Sequence, residues 1–184
     1  MVILGIDPGL SATGFGVVER RAGRVRLLGF GEIETSPRDP LSSRIDKIYG
    51  EVKELIDRYR PDLVVLEELF FNTNARSAMA VGQARGGILL ASAHRGVGVE
   101  EYTPLQVKQS LVGHGRADKK QVKYMVRAIL SMQEDIASSH ASDALALAIC
   151  HAHHVKMRDS LKDAEEGAGP AAEAAPARKK RAAK

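Results

Sequence analysis

Apolar and polar positions follow two rhythms along this 184-residue chain. The first is the nearly uninterrupted run Val2-Ile3-Leu4-Gly5-Ile6, which ends in Asp7 and is stopped by Pro8-Gly9. So apolar a run predicts a strand buried on both faces of a sheet. Gly14–Glu19 and Arg24–Thr35 predict two more strands, with Arg21-Ala22-Gly23 as the turn between them. The short connections make these three antiparallel neighbours. The second rhythm starts at Leu41. Leu41, Ile45, Ile48, Val52, Leu55, Ile56 and Tyr59 recur at steps of three and four, which predicts an amphipathic helix. Asp62–Glu67 reads as a short buried strand, Ala75–Ala93 as a helix capped by Asn74, and Val97–Tyr102 as a fifth strand. Helices follow over Pro104–Leu111, Asp118–Leu130 and Ser139–Met157. The order predicts an α/β fold, a five-stranded mixed sheet flanked by helices.

Composition adds a boundary. After about residue 158 the apolar period stops, Ala, Glu, Gly and Pro dominate, and Arg178-Lys179-Lys180-Arg181 lies near the end. This predicts one domain over residues 1–157 and a disordered tail over 158–184. The tail is either a weak electrostatic hold on nucleic acid or a solubilising extension. Net charge is +4, and the seven basic and five acidic residues after residue 157 account for half of it. The domain is therefore only weakly basic, and a surface for an anionic partner has to be a local patch. The single cysteine, Cys150, excludes an intramolecular disulfide and suits a reducing compartment. The N-terminal run lacks a basic flank and is broken by Asp7, unlike a secretory signal. No stretch approaches the roughly 20 apolar residues of a membrane span. The expectation is a soluble, cytoplasmic protein with no membrane partner.

Asp7 opens the chemistry. A carboxylate at the end of a buried strand sits where the sheet core meets solvent, and burial of an unpaired carboxylate is costly. Before Pro8-Gly9 it is either a turn-forming residue or one member of a site. A second buried strand also ends in acid, at Glu67-Glu68. A crossover through the Leu41–Tyr59 helix places that strand parallel to the first, so Asp7 and Glu67 reach the same sheet edge. Period-2 alternation lets only one of Glu67 and Glu68 join Asp7. His140 and Asp143, three apart, share a face of the otherwise apolar last helix and overhang the same edge. Three carboxylates and one imidazole make a hard, oxygen-rich set suited to Mg²⁺ or Mn²⁺. Two such ions about 4 Å apart hydrolyse phosphodiesters, and Asp7 is then the bridging ligand.

The segments Ile-Asp-Pro-Gly-Leu-Ser-Ala-Thr-Gly-Phe-Gly at 6–16, Leu-Glu-Glu-Leu-Phe-Phe at 66–71, Val-Gly-Gln-Ala-Arg-Gly at 81–86, Gln-Val-Lys-Gln at 106–109 and His-Ala-Ser-Asp-Ala-Leu-Ala-Leu-Ala at 140–148 resemble, in order and spacing, those of RuvC-type Holliday junction resolvases. The resemblance spans residues 1 to about 155. It implies an RNase H-like fold and a homodimer that nicks two opposed strands of four-way junction DNA symmetrically, with RuvA and RuvB as branch-migration partners. Asp7, Glu67, His140 and Asp143 fall on the family's catalytic, metal-binding positions, with two Mg²⁺ per subunit, or Mn²⁺. Many members carry Asp where this chain has His140, a change that favours Mn²⁺ and leaves His140 either a ligand or a base acting on water. Phe70 matches an aromatic that wedges into the junction, and Lys108 and Lys119 match basic residues near the site. Arg116, Lys120 and Lys123 extend that patch. Ala78, Gly82 and Gly86 form a small-residue stripe, which serves either the dimer interface or close packing on the chain's own sheet. Two other readings stay open: a related nuclease acting on RNA, and an idle junction-binding protein. An ATPase of the actin or sugar-kinase class is disfavoured by the short chain with no second phosphate-loop copy.

Overall fold

The structure, a computed structural model, describes residues 1–68 and 75–167, and of 75–77 and 158–167 the backbone only. Its sheet has five strands in the order β3-β2-β1-β4-β5. The first apolar run forms β1 (Val2–Asp7) at the centre. β2 (Ala12–Arg21) pairs antiparallel with β1, and β3 (Arg24–Glu34) with β2. Helix α1 (Leu41–Tyr59) then carries the chain to β4 (Leu63–Glu67), parallel to β1, and α2 (Ala75–His94) to β5 (Gly98–Tyr102), parallel to β4. Three helices complete the fold: α3 (Pro104–Val112), α4 (Lys119–Ile129) and α5 (Ser139–Gly167). Thr103 and Asp118 open α3 and α4 with reciprocal capping boxes, each closed by a glutamine three residues on. Asn74, expected to cap α2, lies outside the described residues.

Side-chain alternation along β1 and β4 divides the core. Leu4, Ile6, Val64 and Leu66 pack with Ile48, Val52 and Ile88 of α1 and α2, whereas Ile3 and Val65 pack with Ala141, Leu145 and Ile149 of α5. α5 lies close on β1 and β2 because glycines floor the contact. A Cβ built on Gly5, Gly14 or Gly16 would run into the Ala144 carbonyl, the His140 carbonyl or the Leu145 side chain. This descent fixes the height of the first turn of α5 above the strand ends.

Two details depart from expectation. α5 continues past Met157 to Gly167. The segment from Arg158 to Glu166 contains no glycine or proline, and six of its nine residues (Arg158, Leu161, Lys162, Ala164, Glu165 and Glu166) are good helix formers, so loss of apolar period did not end the helix. Residues 168–184 lie outside the described residues. The β2–β3 turn is also tighter than expected: Arg21 pairs with Arg24, leaving Ala22 (φ 50°) and Gly23 (φ 75°) as its two central residues. This is the positive-φ turn that favours Asn-Gly. Ala22→Asn is expected to stabilise the fold by about 0.5–1 kcal/mol, read as a higher urea midpoint at unchanged slope.

Candidate active site

The β1–β4 register aligns Ile6 with Leu66, so Asp7 and Glu67 stand level at the ends of adjacent parallel strands. Both occupy the alternation phase of Ile3 and Val65, which faces α5. The first turn of α5 adds His140 and Asp143. All four line one cavity of about 420 Å³, together with Lys108 of α3 and Lys119 of α4. Val107, Val122, Ala146 and Leu147 form its apolar wall. Glu68 is exposed and is not among the lining residues, as strand alternation requires.

The polar groups already engage one another. His140 donates from Nδ1 to Asp7 Oδ2 at 2.7 Å, and Lys119 Nζ donates to Asp143 Oδ2 at 3.0 Å. Burial pushes the Asp7 carboxyl above the usual aspartate value and outweighs the His140 hydrogen bond, while Asp143 repels its charge further. Glu67 is raised by burial first, then by the charges of Asp7 and Asp143. The Asp143 contact raises Lys119. A carboxyl raised on folding contributes stability that is present below the ordinary carboxylate pKa and lost as pH rises through the raised value. The site therefore costs the fold stability at neutral pH. Asp7→Asn, which keeps an acceptor for His140, is expected to raise the thermal midpoint at neutral pH. That gain should vanish below the ordinary aspartate pKa. A neutral-pH midpoint that falls in the variant contradicts this electrostatic reading.

The four residues expected to bind metal line one cavity. Among the described residues no group of three or more His, Cys, Asp or Glu side chains is gathered so as to hold an ion. The physical reason is visible in the pairs: Asp7 and Asp143 each direct an oxygen to an internal cation or N–H donor instead. The donor set nonetheless fits a hard divalent cation, because Asp7, Glu67 and Asp143 line one cavity and two of them are raised by burial and mutual repulsion.

Residues 3–151 match the family model described as crossover junction endodeoxyribonuclease RuvC. The curated RuvC of Pelotomaculum thermopropionicum is 51% identical over 162 residues, covering 88% of this chain and 99% of that one. The chain belongs to the RuvC family. Thermus thermophilus RuvC, solved in complex with Holliday junction substrate, superposes with a TM-score of 0.82 at 44% identity, over 86% of this chain and 96% of that one. The yeast mitochondrial Holliday junction resolvase Ydc2 shares 11% identity at a TM-score of 0.64, over 90% of this chain and 85% of that one, which is a likeness of fold alone. The five-stranded mixed sheet is thus the RNase H-like sheet of RuvC.

The basic residues expected to hold DNA, two by resemblance and three as their neighbours, divide in the structure. Lys108 and Lys119 line the cavity, and Arg116 is exposed on the loop between α3 and α4. Lys120 is exposed but lines a separate cleft with Gln121 and Tyr124. Lys123 is tied to Asp135 at 2.8 Å, so its charge is partly neutralised. Phe70 lies outside the described residues. The small-residue stripe of α2 meets no sheet at Gly82 or Gly86, where an added Cβ would meet nothing among the described residues; Ala78 is half-buried. Sequence reasoning left Gly5, Gly14 and Gly16 without a role in the site, although glycines alternating along a strand signal a close backbone approach. No helix among the described residues is long and apolar enough to cross a membrane.

Proposed function

We propose that this chain nicks two opposed strands of four-way DNA junctions symmetrically, by metal-dependent phosphodiester hydrolysis, in DNA recombination and repair. The observation that carries the reading is the level pair Asp7 and Glu67 beneath His140 and Asp143, in a cavity whose rim holds Lys108 and Lys119. Asp7, Glu67 and Asp143 would hold Mg²⁺ or Mn²⁺, two ions per subunit. When bound, such ions activate the attacking water and stabilise the leaving oxygen. His140, oriented through Nδ1 by Asp7, keeps a lone pair on Nε2 of a ring that lines the cavity, and we assign it proton uptake from the water. The Lys119–Asp143 pair is largely exposed on the lysine side and worth about 0–1 kcal/mol, so the ammonium readily shifts to a phosphate oxygen. Lys108 stands on the same positive rim.

The pairing of subunits is assigned to α2. Met79, Leu89 and Leu90 are exposed, and with Gly82 and Gly86 they make an apolar face with room for close approach. A twofold through it gives two sites for two opposed strands. RuvA and RuvB complete the expected partners, and the cytoplasm is the expected compartment. Binding measured in EDTA tests the substrate. The chain is expected to prefer a four-way DNA junction to linear duplex and to structured RNA, with affinity falling as salt rises. Structured RNA that competes as well as the junction overturns the assignment.

A further inference from the structure

Among the described residues Arg85 is the one lysine or arginine that is buried, at 7% exposure. It belongs to α2, on the sheet face away from the cavity. Its Nη1 donates to the main-chain oxygen of Glu67 at 2.8 Å, and its Nη2 forms an ion pair with the Glu101 carboxylate. Glu101 stands beside Leu66 in the β4–β5 register and therefore on the α2 face, opposite to the Glu67 carboxyl. The β4–β5 ladder runs one step further, where the Glu68 N–H donates to the Tyr102 carbonyl at 2.9 Å. Thr103, next after β5, gives its N–H to the Gln106 side chain in the α3 cap. Beside that ladder, the main-chain oxygen of the last residue of β4 is held by a guanidinium reaching from α2, on the face away from the cavity.

A buried ion pair is weak evidence for stability, since an apolar residue of similar volume docks a helix about as well. What the fork geometry adds is direction: two donor groups fix two acceptors at set positions. We propose that Arg85 is a positioning residue, which sets the Glu67 carboxylate by gripping its main chain from behind and couples that carboxylate to the seating of α2. The next residue, Gly86, faces outward with Met79, Gly82, Leu89 and Leu90. A shift of α2 when two subunits pair therefore moves the anchor of Glu67. This rests on the nuclease reading above.

The test uses the full chain and its Arg85→Gln, Arg85→Lys and Glu101→Gln variants. Three quantities are measured: Mn²⁺ affinity by calorimetry, junction affinity in EDTA, and the single-turnover nicking rate. Arg85→Gln is expected to weaken Mn²⁺ binding and slow nicking by about 10–100-fold, the usual effect of losing an outer partner of a metal ligand. Junction affinity should stay within about threefold, a change under 1 kcal/mol. Arg85→Lys, with the charge but a single donor group, should regain part of the loss. Glu101→Gln alters the half-exposed partner, leaves the fold intact and should show a smaller loss in the same direction. Variants that bind Mn²⁺ and nick like the parent overturn the proposal. So does a loss of nicking that only tracks junction affinity or the folded fraction. If the parent itself fails to nick a junction, the nuclease reading falls, and the Mn²⁺ titration still decides the role of Arg85.

Discussion

Asp7→Asn is expected to lower metal-dependent nicking of a four-way junction by at least about 10³-fold while junction affinity is kept or improved. Asp7 is the one acid that touches both halves of the site: it stands level with Glu67 on the sheet and accepts from His140 on α5. Removing its charge withdraws the central anionic ligand from any divalent ion, and the amide oxygen left in its place accepts more weakly from His140. Loss of several kcal/mol of transition-state stabilisation is the scale of a metal ligand, and each 1.4 kcal/mol is tenfold in rate. Binding should not suffer, because a buried carboxylate repels phosphate. Single-turnover rates and gel-shift titrations on the same preparation separate the two effects. Rate and affinity lost in equal measure would place Asp7 in DNA binding rather than chemistry.

The second large effect is expected far from any charge. Gly14→Ala should destabilise the fold by about 2–3 kcal/mol and slow nicking beyond what the folded fraction explains. Gly14 pairs with Asp7 across β1–β2, and its missing side chain is where the His140 carbonyl descends. Backbone on both sides leaves no flexible atom to yield, so the first turn of α5 has to lift, taking His140 and Asp143 with it. A misplacement of about 1 Å at a reacting centre costs up to 10²-fold in rate. Urea unfolding gives the first quantity and single-turnover nicking of folded protein the second. A variant as stable and fast as the parent would show that α5 is not held down by the glycines.

These two positions also mark how far the sequence could be read. The strand carrying Asp7, the parallel strand ending in Glu67-Glu68, and the limit of one acid from that pair follow from apolar runs and period-2 alternation; the choice of Glu67 follows from the resemblance, and the register places it level with Asp7. His140 and Asp143 follow from helical spacing. What spacing does not carry is the distance between layers. Alternating glycines such as Gly14 and Gly16 signal a close approach without naming its partner, and only packing shows them as the seat of α5. Arg85 stands in a segment quoted for its resemblance, yet its partner is a main-chain carbonyl that no side-chain pattern reveals. Lys123 looked like part of one basic face, but the loop after α4 brings Asp135 to it. The apolar period places the end of α5 at Met157, whereas helix propensity carries it to Gly167.

The most direct test of the nuclease reading is strand-resolved cleavage of a synthetic four-way junction beside a linear duplex of the same sequence, with Mg²⁺, with Mn²⁺ and with EDTA. The expected result is paired nicks at symmetric positions on two opposed junction strands, dependent on the divalent ion, and an intact linear duplex. Nicking of the duplex at the same rate, or no ion-dependent cut in the junction, would contradict it.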